Sequence, residues 1–207
     1  MTSTISDSLK RLSAVTMLVL APALALAAPA RTSRAMDYSA ANSPALGGAP
    51  GALDFSAQLA LDIPPSGYSV GPRFTGEVMY NLMDLAPQLR LSLGGRGSFA
   101  VHGGDFVSLW LIEGVPDAKI KFAINDIFAV YGDFGLGFAI IHSSVDFPGT
   151  TASTSDDTLA VAIQFGGGVS YAISPTINLL GELRFNVYTR DGSSTFIALP
   201  TVGVQWH

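Results

Sequence analysis

Hydrophobic and polar residues alternate with a period of two over most of the chain after residue 52. The alternation is clearest over residues 125–142, where Phe134, Leu136 and Phe138 share one parity and Asp133 lies on the other, among small or polar residues. A period of two predicts a β-strand whose two faces meet different surroundings. The apolar face is too long for a surface strand of a soluble protein. The pattern therefore indicates a strand of a membrane barrel, with its apolar face outward.

Eight segments share this alternation, and they cover residues 53–63, 73–82, 88–98, 106–122, 125–142, 159–173, 177–188 and 196–207. Short connections such as 83–87 and 174–176 alternate with longer ones, of which 143–157 is the longest. This is typical of outer-membrane barrels, which have short periplasmic turns and longer external loops. The sequence predicts an all-β fold, an eight-stranded antiparallel up-and-down transmembrane β-barrel over residues 53–207.

Charged residues within these segments all lie on the parity opposite the apolar face, apart from Asp126, which belongs to the short connection formed by residues 125 and 126. Seven are acidic and six are basic: Asp54, Asp62, Glu77, Glu113, Asp117, Asp133 and Glu182, and Arg73, Arg90, Arg96, Lys119, Lys121 and Arg184. A soluble β-sandwich would show the opposite arrangement. A soluble carrier of lipocalin type, the alternative fold, would need an apolar interior.

The interior of an eight-stranded barrel is only wide enough for side chains to fill it. The near balance of the thirteen charges therefore predicts a charge network that closes the lumen. We expect Glu182 and Arg184 to pair with neighbouring strands, with Asp133 and Lys119 or Lys121 as candidate partners.

Proline and glycine mark two local irregularities. Pro116 lies on the apolar parity of the fourth segment, which predicts a bulge or a locally broken ladder. The three glycines at 166–168 lie inside a strand with no helix after them, so they do not form a phosphate-binding loop. We expect them to relieve crowding in a narrow barrel.

The amino-terminal region has the features of a secretory signal peptide. Lys10 and Arg11 precede a short apolar run that ends in alanine-rich sequence at Ala30. A membrane anchor is the alternative, but Pro22 breaks the run. We expect residues 1–30 to be cleaved off during export, and residues 31–52 to form a flexible lead rich in Ala, Gly and Pro.

Composition narrows the classes of partner. The chain has 48% hydrophobic and 13% charged residues, no cysteine and a net charge of −5. The negative net charge argues against nucleic acid as a partner, because no basic stripe could neutralise phosphates.

Trp110 and Trp206 are expected to lie at the two opposite membrane interfaces, where indole rings concentrate.

The sequence gives only a weak signal for catalytic residues. His102 with Asp105, or His142 with Ser143 and Ser144, resemble a base beside a nucleophile or a carboxylate. Adjacency along the chain does not bring side chains together, so we assign no catalytic residue. No spacing of histidines and carboxylates predicts a metal site, and no cofactor is expected.

Three stretches carry a resemblance to a known family: VYGDFGLGFAI at 130–140, GELRF at 181–185 and TVGVQW at 201–206. Residues 53–207 resemble the outer-membrane β-barrel domain family of small eight-stranded OmpA-like proteins of the Gram-negative cell envelope. The resemblance implies a monomer in the lipid bilayer of the outer membrane. It also implies that the barrel-insertion machinery recognises the C-terminal strand, in which Trp206 is the penultimate residue.

The function expected from the sequence is that of a membrane scaffold, or of a barrel that acts through its external loops. A small-solute pore and, less favoured, a lipid-modifying enzyme are the alternatives.

Overall fold

Eight antiparallel strands form a closed ring in which each strand pairs with its neighbours in chain order and β1 pairs with β8. The computed structural model describes residues 43–63, 69–103, 107–146, 153–190 and 192–207. The strands are β1 (Leu53–Asp62), β2 (Gly71–Ala86), β3 (Leu89–Gly103), β4 (Val107–Ala123), β5 (Phe128–Asp146), β6 (Ser153–Ser174), β7 (Ile177–Arg190) and β8 (Ser193–Trp206). The predicted eight-stranded up-and-down barrel is confirmed.

Burial in this barrel is the inverse of burial in a soluble protein. Along β1, for example, the apolar Leu53 is 49% exposed, whereas Asp54 beside it is 2% exposed. The same alternation runs through β2 and β7. The outer surface is therefore apolar and the interior is polar, as a strand between lipid and a filled lumen requires. Among the described residues, no helix has the length and apolarity needed to cross a membrane.

The strands are longer than the sequence predicted at the end that carries the longer connections. The predicted loop 143–157 is mostly strand, because the pairing of β5 with β6 continues to Asp146 and Ser153. The prediction was wrong here because residues 153–158 are all Ser, Thr or Asp. Strands that rise above the bilayer meet water on both faces, so the alternation of hydropathy disappears although the hydrogen-bonded ladder continues.

Pro116 breaks the ladder locally. The pairing of β4 with β5 passes from Gly114 with Phe138 to Asp117 with Gly135, and the register is the same on both sides of the gap. A proline has no amide hydrogen to donate, which explains an interruption without a bulge. Register shifts occur instead in β2, between Asn81 and Ala86, and near the end of β6.

The glycines of β6 make room for a large interior side chain. A Cβ at Gly168 would lie 2.8 Å from the hydroxyl of Tyr131 and 2.3 Å from the carbonyl oxygen of Gly181. At Gly166 it would lie 3.1 Å from the Cα of Arg184. Small residues at these positions therefore let Tyr131 and Arg184 share the narrow lumen.

Residues 43–48 close the end of the barrel that carries the short turns. Pro44–Leu46 form a 3-10 helix, and Ala45 and Leu46 are fully buried. The turn out of this helix uses Gly47, which has a φ of 95° and no space for a Cβ beside Asp54. We call residues 43–48 the end plug. The prediction of a flexible lead is wrong for this part of 31–52, because interior side chains bind its backbone; residues 31–42 and the predicted signal peptide lie outside the described residues.

Candidate functional site

A charge network fills the middle of the barrel. Arg96 from β3 lies 3.2 Å from Glu77 of β2 and 3.2 Å from Asp133 of β5. Its guanidinium also lies 2.9 Å from Asp117, outside hydrogen-bond geometry. Lys119 donates to Glu77 at 2.6 Å. One cation therefore links carboxylates of three strands, and each of these side chains is almost fully buried.

Glu182 and Arg184 pair with each other rather than with the predicted partners. Arg184 Nε donates to Glu182 Oε1 at 2.7 Å, although both residues are on β7. Tyr131 donates its hydroxyl to Glu182 at 3.2 Å, and Arg184 reaches Gln58 at 3.0 Å. The expectation that Asp133 or a lysine would be the partner was wrong, because residues two apart on the inner face of one strand lie close enough to pair directly.

A second network lies nearer the external end, which is the end with the longer connections. Arg73 forms ion pairs with Asp62 and, at 2.7 Å, with Glu113. Tyr188 donates to Glu113 at 2.7 Å and accepts from Asn186 at 2.9 Å. Beside this network, apolar side chains from several strands form an interior cluster that includes Leu111, Ile197 and Leu199.

The end plug is held by polar side chains that point into the barrel. Asn178 donates to the carbonyl oxygen of Pro44 at 2.9 Å, and Lys121 donates to that of Leu46 at 3.3 Å. Asn81 and Arg90 both donate to the carbonyl of Gly48. Backbone carbonyls of the plug thus replace water as acceptors for donors on four strands.

All thirteen charged side chains singled out in the sequence are buried in the barrel. Seven of them belong to the two networks through the ion pairs described above, and Asp117 joins through its contact with Arg96. Glu182 and Arg184 form a pair of their own. The remaining three, Asp54, Arg90 and Lys121, lie at the plug end of the barrel, where Arg90 also pairs with Asp84 at 2.7 Å. Sequence reasoning missed the neutral members Gln58, Gln164, Asn186, Tyr131 and Tyr188. Their inward parity was the available signal. The cavity between Asp54, Glu77 and Lys121 measures about 10 Å³, which holds about one water molecule.

A polar cluster lies on the outer face, at the external end of β4, β5 and β6. His142 Nδ1 lies 2.6 Å from Asp157 Oδ1, and the imidazole stacks on Trp110 with ring centroids 4.9 Å apart. The hydroxyls of Ser108 and Ser144 are 2.7 Å apart. The sequence had suggested His142 with the two serines, but it gave no reason to add Asp157, which is brought opposite His142 by the β5–β6 register.

Two shallow apolar grooves lie on the outer face, and the first of them adjoins this cluster. One, of about 360 Å³, is lined by Phe99, Val101, Leu109, Trp110, Ile112 and Ser108. The other, of about 470 Å³, shares Phe99 and Ile112 with the first and passes over Gly76 and Gly97. These two glycines pair across β2 and β3, and the absence of side chains there creates the depression.

Among the described residues, the other side chains that the sequence suggested for catalysis, metal binding or the membrane interface do not come together in one site. His102 turns into the barrel, where it contacts Asp62 at 3.4 Å and the carbonyl oxygen of Ser69 at 3.1 Å; its suggested partner Asp105 lies outside the described residues. Across the described ranges, no three His, Asp or Glu side chains are grouped so as to hold a metal ion. Trp110 and Trp206 lie at opposite ends of the barrel wall, the former half-buried and the latter exposed.

Comparison with known proteins agrees with this architecture. The family model described as the outer membrane protein beta-barrel domain matches residues 16–204. No curated protein matches the chain. Among solved structures, Neisserial surface protein A is 18% identical, with a TM-score of 0.50 over 74% of this chain and 94% of that one. A major outer membrane protein from Thermus thermophilus is 15% identical, with a TM-score of 0.50 over 75% and 99%.

A third similar structure, the outer membrane enzyme PagL, is 14% identical, with a TM-score of 0.48 over 74% of this chain and 99% of that one. The descriptions of these three proteins range from surface protein to enzyme.

Proposed function

The chain belongs to the outer membrane protein β-barrel domain family and is located in the cell outer membrane, and from this premise we propose that it is a closed, non-conducting barrel. Its role is that of a membrane scaffold whose outer surface and external end meet the surroundings. Transport through the lumen is not part of that role.

The observation that carries this proposal is the filled interior. Ion pairs link β1 to β2, β2 to β3 and β4, and β3 to β5 across the lumen. The end plug covers one mouth, and an interior cluster of apolar side chains packs beside the Arg73 network. An ion would have to displace salt-bridged groups in a low-dielectric space, which is costly for each group left unpaired.

The pore alternative requires a different interior. A selective pore carries a ring of charge of one sign along an open path. Here the acidic and basic side chains alternate and neutralise each other within hydrogen-bond distance. The balance of charge favours a structural plug over a selectivity filter.

Planar-bilayer recording on the full-length mature protein tests the proposal. We expect no stable conductance steps from protein whose folding is verified by its shifted migration on an unboiled gel. As a matched control, the variant Arg96→Ala with Lys119→Ala removes two cations from the middle of the network and should admit transient ion leakage. Reproducible ohmic single-channel steps from the wild type would overturn the closed-barrel function in favour of the pore.

We also infer that the chain is exported with cleavage between Ala28 and Arg31, inserted through recognition of β8, and monomeric in the bilayer. Trp206 supports the role of β8, since it stacks on Phe55 of β1 with ring centroids 6.4 Å apart, at the seam that closes the ring. Mass spectrometry of the native amino terminus tests the cleavage. Assembly kinetics of Trp206→Ala test recognition: an unchanged rate contradicts it.

A further inference from the structure

We propose that the outer face of the barrel carries a serine hydrolase site for long-chain acyl esters of membrane lipids. The site consists of Ser144 as nucleophile, His142 as general base and Asp157 as the residue that positions the imidazole. This activity goes beyond the closed-barrel function and does not depend on it, because these side chains point away from the lumen.

The imidazole of His142 is held on two sides. Its Nδ1 lies 2.6 Å from the carboxylate of Asp157, so Nδ1 carries the proton and donates it in this hydrogen bond. Trp110 stacks against the ring at an interplanar angle of 17°. The other nitrogen, Nε2, has no hydrogen bond to any residue that the structure describes. An imidazole with Nδ1 bound to a carboxylate and a free Nε2 lone pair is the base that activates a serine.

Ser144 is placed to be the nucleophile. It follows His142 by two positions on β5, so both side chains share the outer face, with their Cα atoms roughly 6.6 Å apart along the strand. The hydroxyl of Ser108 on β4 lies 2.7 Å from that of Ser144, within hydrogen-bond distance. Ser143 has the opposite parity and pairs with Leu109, so it provides an internal control.

The grooves indicate the substrate class. Ser108 lines the rim of the first groove, which continues past Phe99 and Ile112 into the second. Both grooves are lined on the outer face by apolar side chains and are continuous with the lipid-facing belt. The polar cluster lies beside Trp110, a residue type that concentrates at headgroup level, where lipid ester bonds are found. An ester carbonyl at Ser144 would thus place its acyl chain along the groove.

The reaction balances without a cofactor. Ser144 Oγ attacks the ester carbonyl carbon while His142 Nε2 accepts the hydroxyl proton, and the carboxylate of Asp157 stabilises the imidazolium. The intermediate collapses, the carbon–oxygen bond to the alcohol breaks, and Nε2 returns the proton to the leaving alcohol oxygen. Water then attacks the acyl-serine, with His142 as base, and releases the fatty acid and free Ser144.

Labelling and hydrolysis test the site on the full-length refolded protein. A hexadecyl fluorophosphonate probe should label Ser144, as located by mass spectrometry, and p-nitrophenyl palmitate should be hydrolysed. Ser144→Ala and His142→Ala should each lower kcat by about 10³-fold or more. Asp157→Asn should lower kcat with little change in KM, and Asp157→Glu should restore part of it. Vesicles of dipalmitoyl phosphatidylethanolamine and, separately, lipopolysaccharide show which lipid releases fatty acid.

Two controls separate catalysis from surface structure. Ser143→Ala should retain full activity, because this residue is on the other face of β5. Heat-modifiability of each variant shows that it is folded. Absence of both probe labelling and fatty-acid release from folded wild type, or equal activity in wild type and Ser144→Ala, would overturn the proposal and leave the cluster as a surface ion pair.

A groove variant tests the acyl chain separately. A Cβ at Gly97 meets no atom closer than 3.9 Å, so Gly97→Leu can fill the depression without a clash. We expect its KM for palmitate esters to rise at least several-fold while hydrolysis of p-nitrophenyl acetate is unchanged. Gly132→Leu, on the outer face of β5 away from the groove, is the matched control. Equal effects of the two variants would contradict chain binding in the groove.

Discussion

The buried ionic residues are stabilised by few but close partners. Glu182 has two, the Arg184 guanidinium at 2.7 Å and the Tyr131 hydroxyl at 3.2 Å. Both partners are themselves buried. Removing the carboxylate would leave a guanidinium in the interior without its counter-ion, and the free-energy cost comes from that unpaired charge.

Glu182→Ala should lower the free energy of unfolding by about 3 to 5 kcal/mol, because a buried base loses its counter-ion. Reversible urea unfolding in phospholipid vesicles measures the change. Asp156→Ala is the matched control: Asp156 is 65% exposed and lies 3.8 Å from Arg190, so its loss should cost at most about 1 kcal/mol. Equal costs for the two variants would contradict the claim that burial makes the Glu182 pair important.

The residue scale also shows where sequence reasoning ends. Parity along a strand identified the interior face, because lipid and lumen impose opposite polarity on alternate residues. It could not identify partners. The pairing of Arg73 with Glu113, or of Arg96 with Asp133, depends on strand register and on contacts across the lumen. Neither can be derived from the pattern within one strand.

At the scale of elements, the end plug was the main feature that the sequence did not predict. Residues 43–48 have the composition of a linker and no periodicity, so no local signal marks them as ordered. Their order comes from donors distant in sequence, such as Asn178, which binds the carbonyl of Pro44. The strands, in contrast, were predictable because each carries its own alternation.

Leu46→Ala should destabilise the protein by about 2 to 5 kcal/mol, since Leu46 is fully buried. Val70→Ala, at an exposed residue near the other end, should change stability by less than about 0.5 kcal/mol. Hydrogen exchange at the turns beside the plug should rise in Leu46→Ala alone. If neither stability nor exchange changes, residues 43–48 behave as a free lead and not as a plug.

At the scale of the whole molecule, the outer surface is a continuous apolar belt. Exposed side chains on it include Phe74, Leu136, Phe138, Leu159 and Val202. Such a surface is stable only against hydrocarbon, which agrees with the location in the outer membrane.

Leu136→Arg places a charge in the middle of β5 on the lipid-facing side, where the free-energy cost should be about 2 to 4 kcal/mol. Ile124→Arg, at an equally exposed position beside the turn before β5, should cost about 0 to 1 kcal/mol. Folding titrations into vesicles compare the two variants. A larger penalty at Ile124 would place the membrane midplane elsewhere on the barrel.

Trp110 and Trp206 should both lie near headgroups, on opposite sides of the membrane. Single-tryptophan variants in vesicles of brominated lipids should be quenched most by bromine close to the headgroup. Trp206, the last residue of β8, and Trp110, near the first residue of β4, then report the two leaflets. Strongest quenching of either indole by bromine at the chain ends would contradict this placement.

The pairing of β1 with β8 has a consequence for the order of assembly. Strand β1 pairs with β8 from Phe55 with Trp206 to Ala60 with Thr201. The peptide groups along this edge of β1 therefore have no hydrogen-bond partner until the last strand is present. A ring lacking β8 would present two rows of bare peptide groups to hydrocarbon, at several kcal/mol for each group. Insertion should therefore be a single late event: synthesis and transit must finish with the chain unfolded, and no shortened ring can serve as a stable halfway stage.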